Sequence, residues 1–161
     1  MSTVVIGLGN EYRRDDGFGP AVVRALRGRL PAAIRLAVVA DGLDLLDVWA
    51  HAQLAVVIDL ALHAPPTPGR RHRWIVDGAA GPVGGHTVDI AAALALARVL
   101  GTAPARVVAL MAEGADVGPG VGLSSPVRRA VPVTAAAVTA EVVSGSVRRR
   151  GPSPPGARRV R

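Results

Sequence analysis

One run near the N-terminus constrains the fold more than any other part of the chain. Residues 4–10 read Val-Val-Ile-Gly-Leu-Gly-Asn, and residues 13–19 read Arg-Arg-Asp-Asp-Gly-Phe-Gly. The apolar residues predict a buried strand, and the glycines allow the backbone to turn sharply where that strand ends. Two adjacent carboxylates, Asp15 and Asp16, then precede the first predicted helix. Acids in this position are typical of sites at the carboxyl edge of an α/β sheet.

Strand-like and helix-like segments alternate along the rest of the chain. The pattern predicts strands over residues 3–7, 34–40, 54–60, 71–76 and 106–111, helices over residues 18–29, 43–52 and 88–100, and a last helix from residue 125. Residues 54–60 are apolar except for Asp59, which predicts a strand buried on both faces of a parallel sheet. We expect a single-domain, doubly wound three-layer α/β/α fold with a mostly parallel five-stranded sheet.

The positive charge lies mostly near the C-terminus. The 161 residues carry a formal net charge of +7, but the first 147 residues hold 13 arginines against 12 acids. We therefore expect a folded domain over residues 1–144, a basic, disordered Pro/Arg-rich tail over residues 145–161, and no nucleic-acid partner. No uncharged apolar stretch approaches the roughly 18 residues of a membrane span. We expect a cytoplasmic monomer that binds no membrane.

The composition also limits the chemistry. The chain has no cysteine, which excludes thiolate nucleophiles and cysteine zinc sites, so any metal ion is bound by oxygen or imidazole. Tyr12 occupies the position of the third glycine in a dinucleotide fingerprint, and the adjacent acids would repel a pyrophosphate. A phosphate-binding loop of the Walker type is excluded because the chain has no lysine.

Three side chains from separate strand–helix junctions are candidates for a site. Asp59 would be costly to bury in an apolar strand unless a metal ion, or alternatively backbone N–H groups, compensate its charge. Asp16 follows the first strand, and His86 lies where a glycine-rich loop meets a helix, where it could also serve as a cap. Two oxygens and one nitrogen suit nickel or zinc.

The other acid after the first strand and the other three histidines are predicted to have structural roles or to lie on the surface. Asp15 is predicted to cap the first helix, since a carboxylate there would accept hydrogen bonds from free N–H groups. The other histidines, His51, His63 and His72, share no ligand motif and are predicted to be ordinary surface residues.

The motifs together resemble those of the hydrogenase maturation endopeptidases. The resemblance extends from about residue 4 to residue 143 and rests on residues 6–10, 14–19, 57–59, 86 and 120–124. Members of this family remove a C-terminal extension from the large subunit of a [NiFe]-hydrogenase after nickel has been inserted. The resemblance implies that Asp16, Asp59 and His86 are the catalytic residues and that they contact nickel. It also implies that the precursor presents the nickel, so that no permanently bound metal is required.

Two features differ from the family pattern. Many members have Asp-Gly-Gly-Thr-x-Gly after the second strand, whereas residues 41–46 here read Asp-Gly-Leu-Asp-Leu-Leu. Asp16 stands where glutamate is common, and its shorter side chain is still an oxygen donor.

Two other functions share parts of this sequence pattern. A non-catalytic nickel-binding maturation factor, or chaperone, would use the same three residues without hydrolysis. Peptidyl-tRNA hydrolases also open with a strand and Gly-Leu-Gly-Asn, but they continue with Pro-Gly and a segment that supplies a catalytic histidine. This chain continues with Glu11 and Tyr12, and its first histidine is His51.

Overall fold

The computed structural model describes residues 2–78 and 87–147. Within these residues the strands and helices follow one another as β1 (Thr3–Leu8), α1 (Phe18–Leu26), β2 (Ile34–Val39), α2 (Leu45–Val48), β3 (Leu54–Ala61), β4 (Arg71–Ile75), α3 (Thr87–Val99), β5 (Val107–Glu113) and α4 (Ser125–Val147). Short 3-10 helices at Arg14–Gly17 and Gly42–Asp44 precede α1 and α2.

The strands form one mixed sheet in the order β2-β1-β3-β5-β4. All neighbouring strands run parallel except β4, which pairs antiparallel with β5 at the edge. Every residue of β3 and β5 is buried, as expected for central strands covered on both faces, whereas alternate residues of β4 are exposed. The predicted five-stranded, mostly parallel sheet is therefore confirmed, and β4 is its antiparallel edge strand.

Helices cover both faces of the sheet. The apolar side chains of α1 and α4 pack with one face of β3 and β5, and those of α2 and α3 pack with the opposite face. Consecutive residues of a strand alternate between the two cores because their side chains point to opposite faces. The result is the predicted three-layer α/β/α domain. No helix among the described residues has the length and apolarity needed to cross a bilayer.

Two glycines bring α1 directly onto the sheet. A Cβ atom on Gly7 of β1 would lie 2.5 Å from the carbonyl oxygen of Gly19 in α1. A Cβ atom on Gly19 would lie 2.5 Å from the carbonyl oxygen of Leu8 and 2.6 Å from that of Ile58. These neighbours are backbone atoms of α1 and of the central strands β1 and β3, so they cannot move aside easily. The close approach places the start of α1 against the ends of β1 and β3.

We expect Gly19→Ala to lower the free energy of unfolding by at least about 2 kcal/mol, because the added methyl group would overpack a rigid backbone contact. Urea unfolding would measure the loss. Gly118→Ala is the matched control, since a Cβ atom there would meet only the exposed side chain of Asp116, at 3.2 Å. Equal stabilities for the two variants would contradict the close contact between α1 and the sheet.

Two predicted helix boundaries were wrong. The first helix ends at Leu26 instead of residue 29, because Arg27 leaves the helical conformation and Gly28 adopts a φ of +73°. Leu30, the residue after the predicted end of that helix, therefore follows a non-helical turn. The second helix is limited to Leu45–Val48, and His51, three residues later, has a φ of +56°.

The last helix reaches into the predicted tail. It begins at Ser125 as predicted and ends at Val147, so residues 145–147 are helical. The rest of the predicted tail, residues 148–161, lies outside the described residues.

Candidate functional site

The loop after β1 is held in a conformation that only glycine tolerates. Gly9 has a φ of +141°, and a Cβ atom there would lie 2.0 Å from the carbonyl oxygen of Asp16. The loop also donates a hydrogen bond from the Gly9 N–H to the carbonyl oxygen of Val39 in β2, at 3.0 Å. These constraints fix the 3-10 helix Arg14–Gly17 at the carboxyl edge of the sheet.

Asp16 is buried in that 3-10 helix, with 3% of its surface exposed. Its Oδ2 atom accepts a hydrogen bond from the Asn10 N–H at 3.0 Å. The Asn10 side chain in turn accepts a hydrogen bond from the Tyr12 N–H at 2.9 Å. The first candidate acid is thus held by the backbone of the glycine loop that the sequence singled out.

Asp59 is fully buried near the end of β3. Its Oδ1 atom accepts a hydrogen bond from the N–H of Leu60 at 2.7 Å. The preceding residue, Ile58, borders Gly19 of α1, and the 3-10 helix that carries Asp16 contacts β3. The structure therefore brings the elements of Asp16 and Asp59 together at one edge of the sheet. His86 lies outside the described residues, so its position relative to the acids stays a prediction.

Asp15 is not the helix cap that the sequence predicts. The N-cap of α1 is Gly17, which offers no side chain. Asp15 is fully buried, and its carboxylate instead accepts four hydrogen bonds from the segment before α4. The donors are the N–H groups of Ala115 at 3.1 Å, Asp116 at 3.2 Å and Ser124 at 2.7 Å, and the hydroxyl of Ser124 at 3.0 Å. Asp15 is thus a tertiary link between two loops.

Backbone hydrogen bonds reinforce this link. The Arg14 N–H donates to the carbonyl oxygen of Gly120, and the Gly120 N–H donates to the carbonyl oxygen of Tyr12, both at 2.9 Å. Gly120 has a φ of +138°, which accounts for glycine at that position. The glycine-rich segment 120–124 is therefore a support for the loop that carries Asp16.

The pKa of Asp15 makes the stability of this link depend on pH. Burial alone would raise the pKa, but the hydrogen bonds from Ser124, Ala115 and Asp116 outweigh it and lower the pKa below its ordinary value. Because the pKa in the folded protein is depressed, the stabilisation is present above the unfolded value of about 3.9 and is lost as the pH falls through the folded value.

We expect the stability difference between the parent protein and Asp15→Asn to be larger at pH 7 than at pH 3. Urea unfolding at both pH values would measure it. Asp47→Asn, a change at an exposed acid on α2, should make little difference at either pH. A difference for Asp15→Asn that does not change with pH would contradict the assigned role.

A second polar cluster lies at the ends of β3, β4 and β5. Glu113, the last residue of β5, is 2% exposed, and its Oε1 atom lies 2.7 Å from Nε2 of His72. Its Oε2 atom accepts a hydrogen bond from the N–H of Thr67 at 2.7 Å. The ring of His63 stacks on that of His72, with centroids 5.4 Å apart. His63 and His72 are therefore not the ordinary surface residues that the sequence predicts.

Glu113 is ionised in this setting. Burial alone would raise its pKa, but the hydrogen bonds with Thr67 and His72 and the electrostatic attraction of the His63 and His72 rings lower the pKa below its ordinary value. Sequence reasoning missed Glu113, although the signal was the one that identified Asp59: an acid at the end of a uniformly apolar strand.

Loops that follow β1, β2 and β5 expose large apolar side chains, and two open grooves lie beside loops of this edge. Tyr12, Leu43 and Val121 are each more than 60% exposed. A groove of about 390 Å³ lies between α1 and β2 and includes Asn10, the residue that donates to Asp16. A second groove, of about 370 Å³, runs between the loop at Leu43 and α3.

The fold and the placement of the acids define a doubly wound α/β protein with a carboxylate site at the carboxyl edge of its sheet. Solved structures of hydrogenase maturation endopeptidases share this fold. The hydrogenase maturating endopeptidase HybD from E. coli superimposes with a TM-score of 0.76 at 20% identity, covering 89% of this chain and 93% of its own. The hydrogenase 2 maturation peptidase from a Thaumarchaeota archaeon gives a TM-score of 0.66 at 25% identity, covering 88% and 98%.

A third structure, the [NiFe] hydrogenase maturation protease HybD from Thermococcus kodakarensis, has a TM-score of 0.69 at 20% identity and covers 88% of this chain and 99% of its own. No family model matches the chain, and no curated protein sequence matches it. The predicted resemblance is confirmed in the fold: this chain has the architecture of the hydrogenase maturation endopeptidases over nearly nine-tenths of its length.

Proposed function

We propose that this protein is an endopeptidase that removes the C-terminal extension from the nickel-loaded large-subunit precursor of a [NiFe]-hydrogenase. The observation that carries the proposal is the pair of buried carboxylates, Asp16 and Asp59, at one sheet edge of a chain with the maturation-endopeptidase fold. Location in the cytoplasm and a monomeric state stay predictions.

Asp16, Asp59 and His86 would contact the nickel ion that the precursor carries. Two carboxylate oxygens and an imidazole nitrogen are suitable donors for Ni²⁺. Both acids are shielded from water, and attraction between a carboxylate and a cation is stronger in such a low-dielectric setting than at the surface. The metal belongs to the substrate, so the protein would distinguish a loaded precursor from an empty one.

Hydrolysis would use one of the two carboxylates as a general base. The carboxylate accepts a proton from a water molecule, whose oxygen attacks the scissile carbonyl carbon while a nearby cation polarises that carbonyl. The carboxylic acid then donates that proton to the amide nitrogen as the peptide C–N bond breaks, so the amine leaves and the carboxylate is regenerated. The hydrogen bonds from Asn10 to Asp16 and from Leu60 to Asp59 would keep both carboxylates oriented during these steps.

The exposed apolar side chains around the site are suited to a protein substrate. Tyr12, Leu43 and Val121 come from three loops that surround the carboxyl edge of the sheet, and each could pack against the precursor. The groove beside Asn10 offers room for an extended peptide. Leu43 lies in the segment that differs from the family pattern, so this contact would be particular to the substrate of this protein.

A nickel carrier would use the same three residues without hydrolysis, and one experiment distinguishes the two functions. The protein is incubated with a nickel-loaded large-subunit precursor, and the intact mass of the precursor is measured. We expect the mass to fall by that of a C-terminal peptide. An unchanged mass, with nickel transferred to or from this protein, would support the carrier and contradict the protease.

A further inference from the structure

Three metal-ligating side chains meet at the ends of β3, β4 and β5. His63 follows β3, His72 lies on β4, and Glu113 ends β5. One nitrogen or oxygen atom from each lies within 4.8 Å of the others. We propose that these residues form a second metal site, separate from Asp16 and Asp59, that binds a divalent transition metal such as zinc. This proposal does not depend on the proposed protease activity.

The donor set determines the class of metal. Two imidazole nitrogens and one carboxylate oxygen are characteristic ligands of zinc, and three protein ligands leave one tetrahedral position open for water. Ligand bonds of about 2.0–2.2 Å would place neighbouring ligand atoms roughly 3.3 Å apart. The three side chains would therefore need to close by at most about 1.5 Å, which side-chain rotation can provide.

The side chains of this cluster are buried or partly buried, and a hydrogen bond fixes two of them relative to each other. Glu113 is 2% exposed and holds His72 through the 2.7 Å contact between Oε1 and Nε2. The Nε2 atom of His63 is buried and makes no hydrogen bond with any described residue. Buried polar atoms of this kind are rare in native structures, and a ligand that binds the nitrogen would satisfy it.

Metal binding would require one ring to turn. The rings of His63 and His72 are stacked with an angle of 5° between their planes, and a metal ion must lie in the plane of each imidazole that binds it. The χ2 torsion of histidine is soft, and His63 is in the loop beyond β3, so this rotation is accessible. Arg70 lies 3.9 Å from Glu113 but is largely exposed, and it can move into solvent when a cation binds.

The second site would lie on the same face of the sheet as Asp59. Ala61 and Met111 belong to the core beneath α2 and α3, and side chains alternate along each strand, so Asp59 and Glu113 also lie on that face. Asp59 pairs in register with Met111, and Ala61 pairs with Glu113. A bound metal would tie the loop after β3 and the edge strand β4 to β5, two residues beyond the candidate catalytic acid.

The test uses tag-free, full-length protein that carries Asp59→Asn and His86→Ala, which removes two of the three groups proposed to contact nickel. Zn²⁺ is titrated into this protein, and the ring nitrogens of its histidines are followed by NMR. We expect saturation at one equivalent, with shifts at His63 and His72 and none at His51. Failure to saturate, or shifts confined to His51, would overturn the proposal.

Conservative variants of this parent separate metal ligation from structural support. His72→Gln and Glu113→Gln keep similar volume and hydrogen-bonding capacity but lose a good zinc ligand. Each should weaken Zn²⁺ binding by more than about 100-fold, since even changes to groups behind the ligands cost roughly 10–100-fold.

His51→Gln is the matched control and should bind Zn²⁺ as tightly as the parent, because His51 is exposed and outside the cluster. Zn²⁺ should also raise the midpoint of thermal unfolding of the parent and of His51→Gln, and should not raise that of His72→Gln. Equal zinc affinity for His72→Gln and His51→Gln would show that the cluster is a hydrogen-bond network without a metal.

Discussion

Asp59→Asn and Asp16→Asn should each reduce cleavage of a nickel-loaded precursor by at least about 100-fold. An amide cannot accept the proton of the attacking water, and loss of a general base typically costs 10²–10⁴ in rate. An amide is also a weaker ligand for a cation than a carboxylate. Asparagine has nearly the volume of aspartate, so circular dichroism and the unfolding midpoint should remain close to those of the parent. Rates are measured from the intact mass of the precursor over time.

Asp47→Asn is the matched control for both variants. Asp47 is an exposed acid on α2, and the same chemical change there should leave the cleavage rate within about twofold of the parent. His86→Ala completes the set and should also abolish cleavage. If Asp16→Asn, Asp59→Asn and His86→Ala all retained the parent rate, the assignment of the site would be wrong.

Asp15→Ala should lower the free energy of unfolding by at least about 3 kcal/mol. The carboxylate accepts hydrogen bonds from the N–H groups of Ala115, Asp116 and Ser124, and its removal leaves these donors without that acceptor. These donors are partly buried, so each one left without an acceptor costs about 1 kcal/mol, the low end of the range for unsatisfied groups. Urea unfolding measures the loss, and cleavage should also slow because the loop that carries Asp16 is no longer tied to the segment before α4.

The control for this prediction is Asp47→Ala, which removes an exposed carboxylate and should change the free energy of unfolding by less than about 0.5 kcal/mol. A loss below about 1 kcal/mol for Asp15→Ala would contradict its role as the link between the two loops. A large loss with full cleavage activity would show that the link stabilises the fold without positioning Asp16.

The fold could be predicted because its signals are local. A uniformly apolar segment over residues 54–60 indicates a central parallel strand, and mixed polarity over residues 71–76 indicates an edge strand. The predicted end of α1 was wrong, although the signal for it was also local. Gly28 adopts a φ that most residues avoid, and the helix therefore ends before Leu30.

The parts of the site that were missed depend on contacts between distant residues. Asp15 was interpreted as a cap because its neighbours in sequence begin a helix, but its hydrogen-bond donors lie 100 to 109 positions away. The cluster of His63, His72 and Glu113 forms because β5 lies between β3 and β4 in the sheet, an order that local patterns do not reveal. The burial of Asp59, in contrast, could be predicted from the apolar residues of its own strand.

The most direct test of the central claim compares nickel-loaded and nickel-free forms of the same large-subunit precursor, each incubated with this protein and followed by intact mass. We predict that only the nickel-loaded form loses a C-terminal peptide, because Asp16, Asp59 and His86 are proposed to recognise the metal in the substrate. Equal cleavage of both forms would contradict nickel recognition, and cleavage of neither form would contradict the proposed protease function.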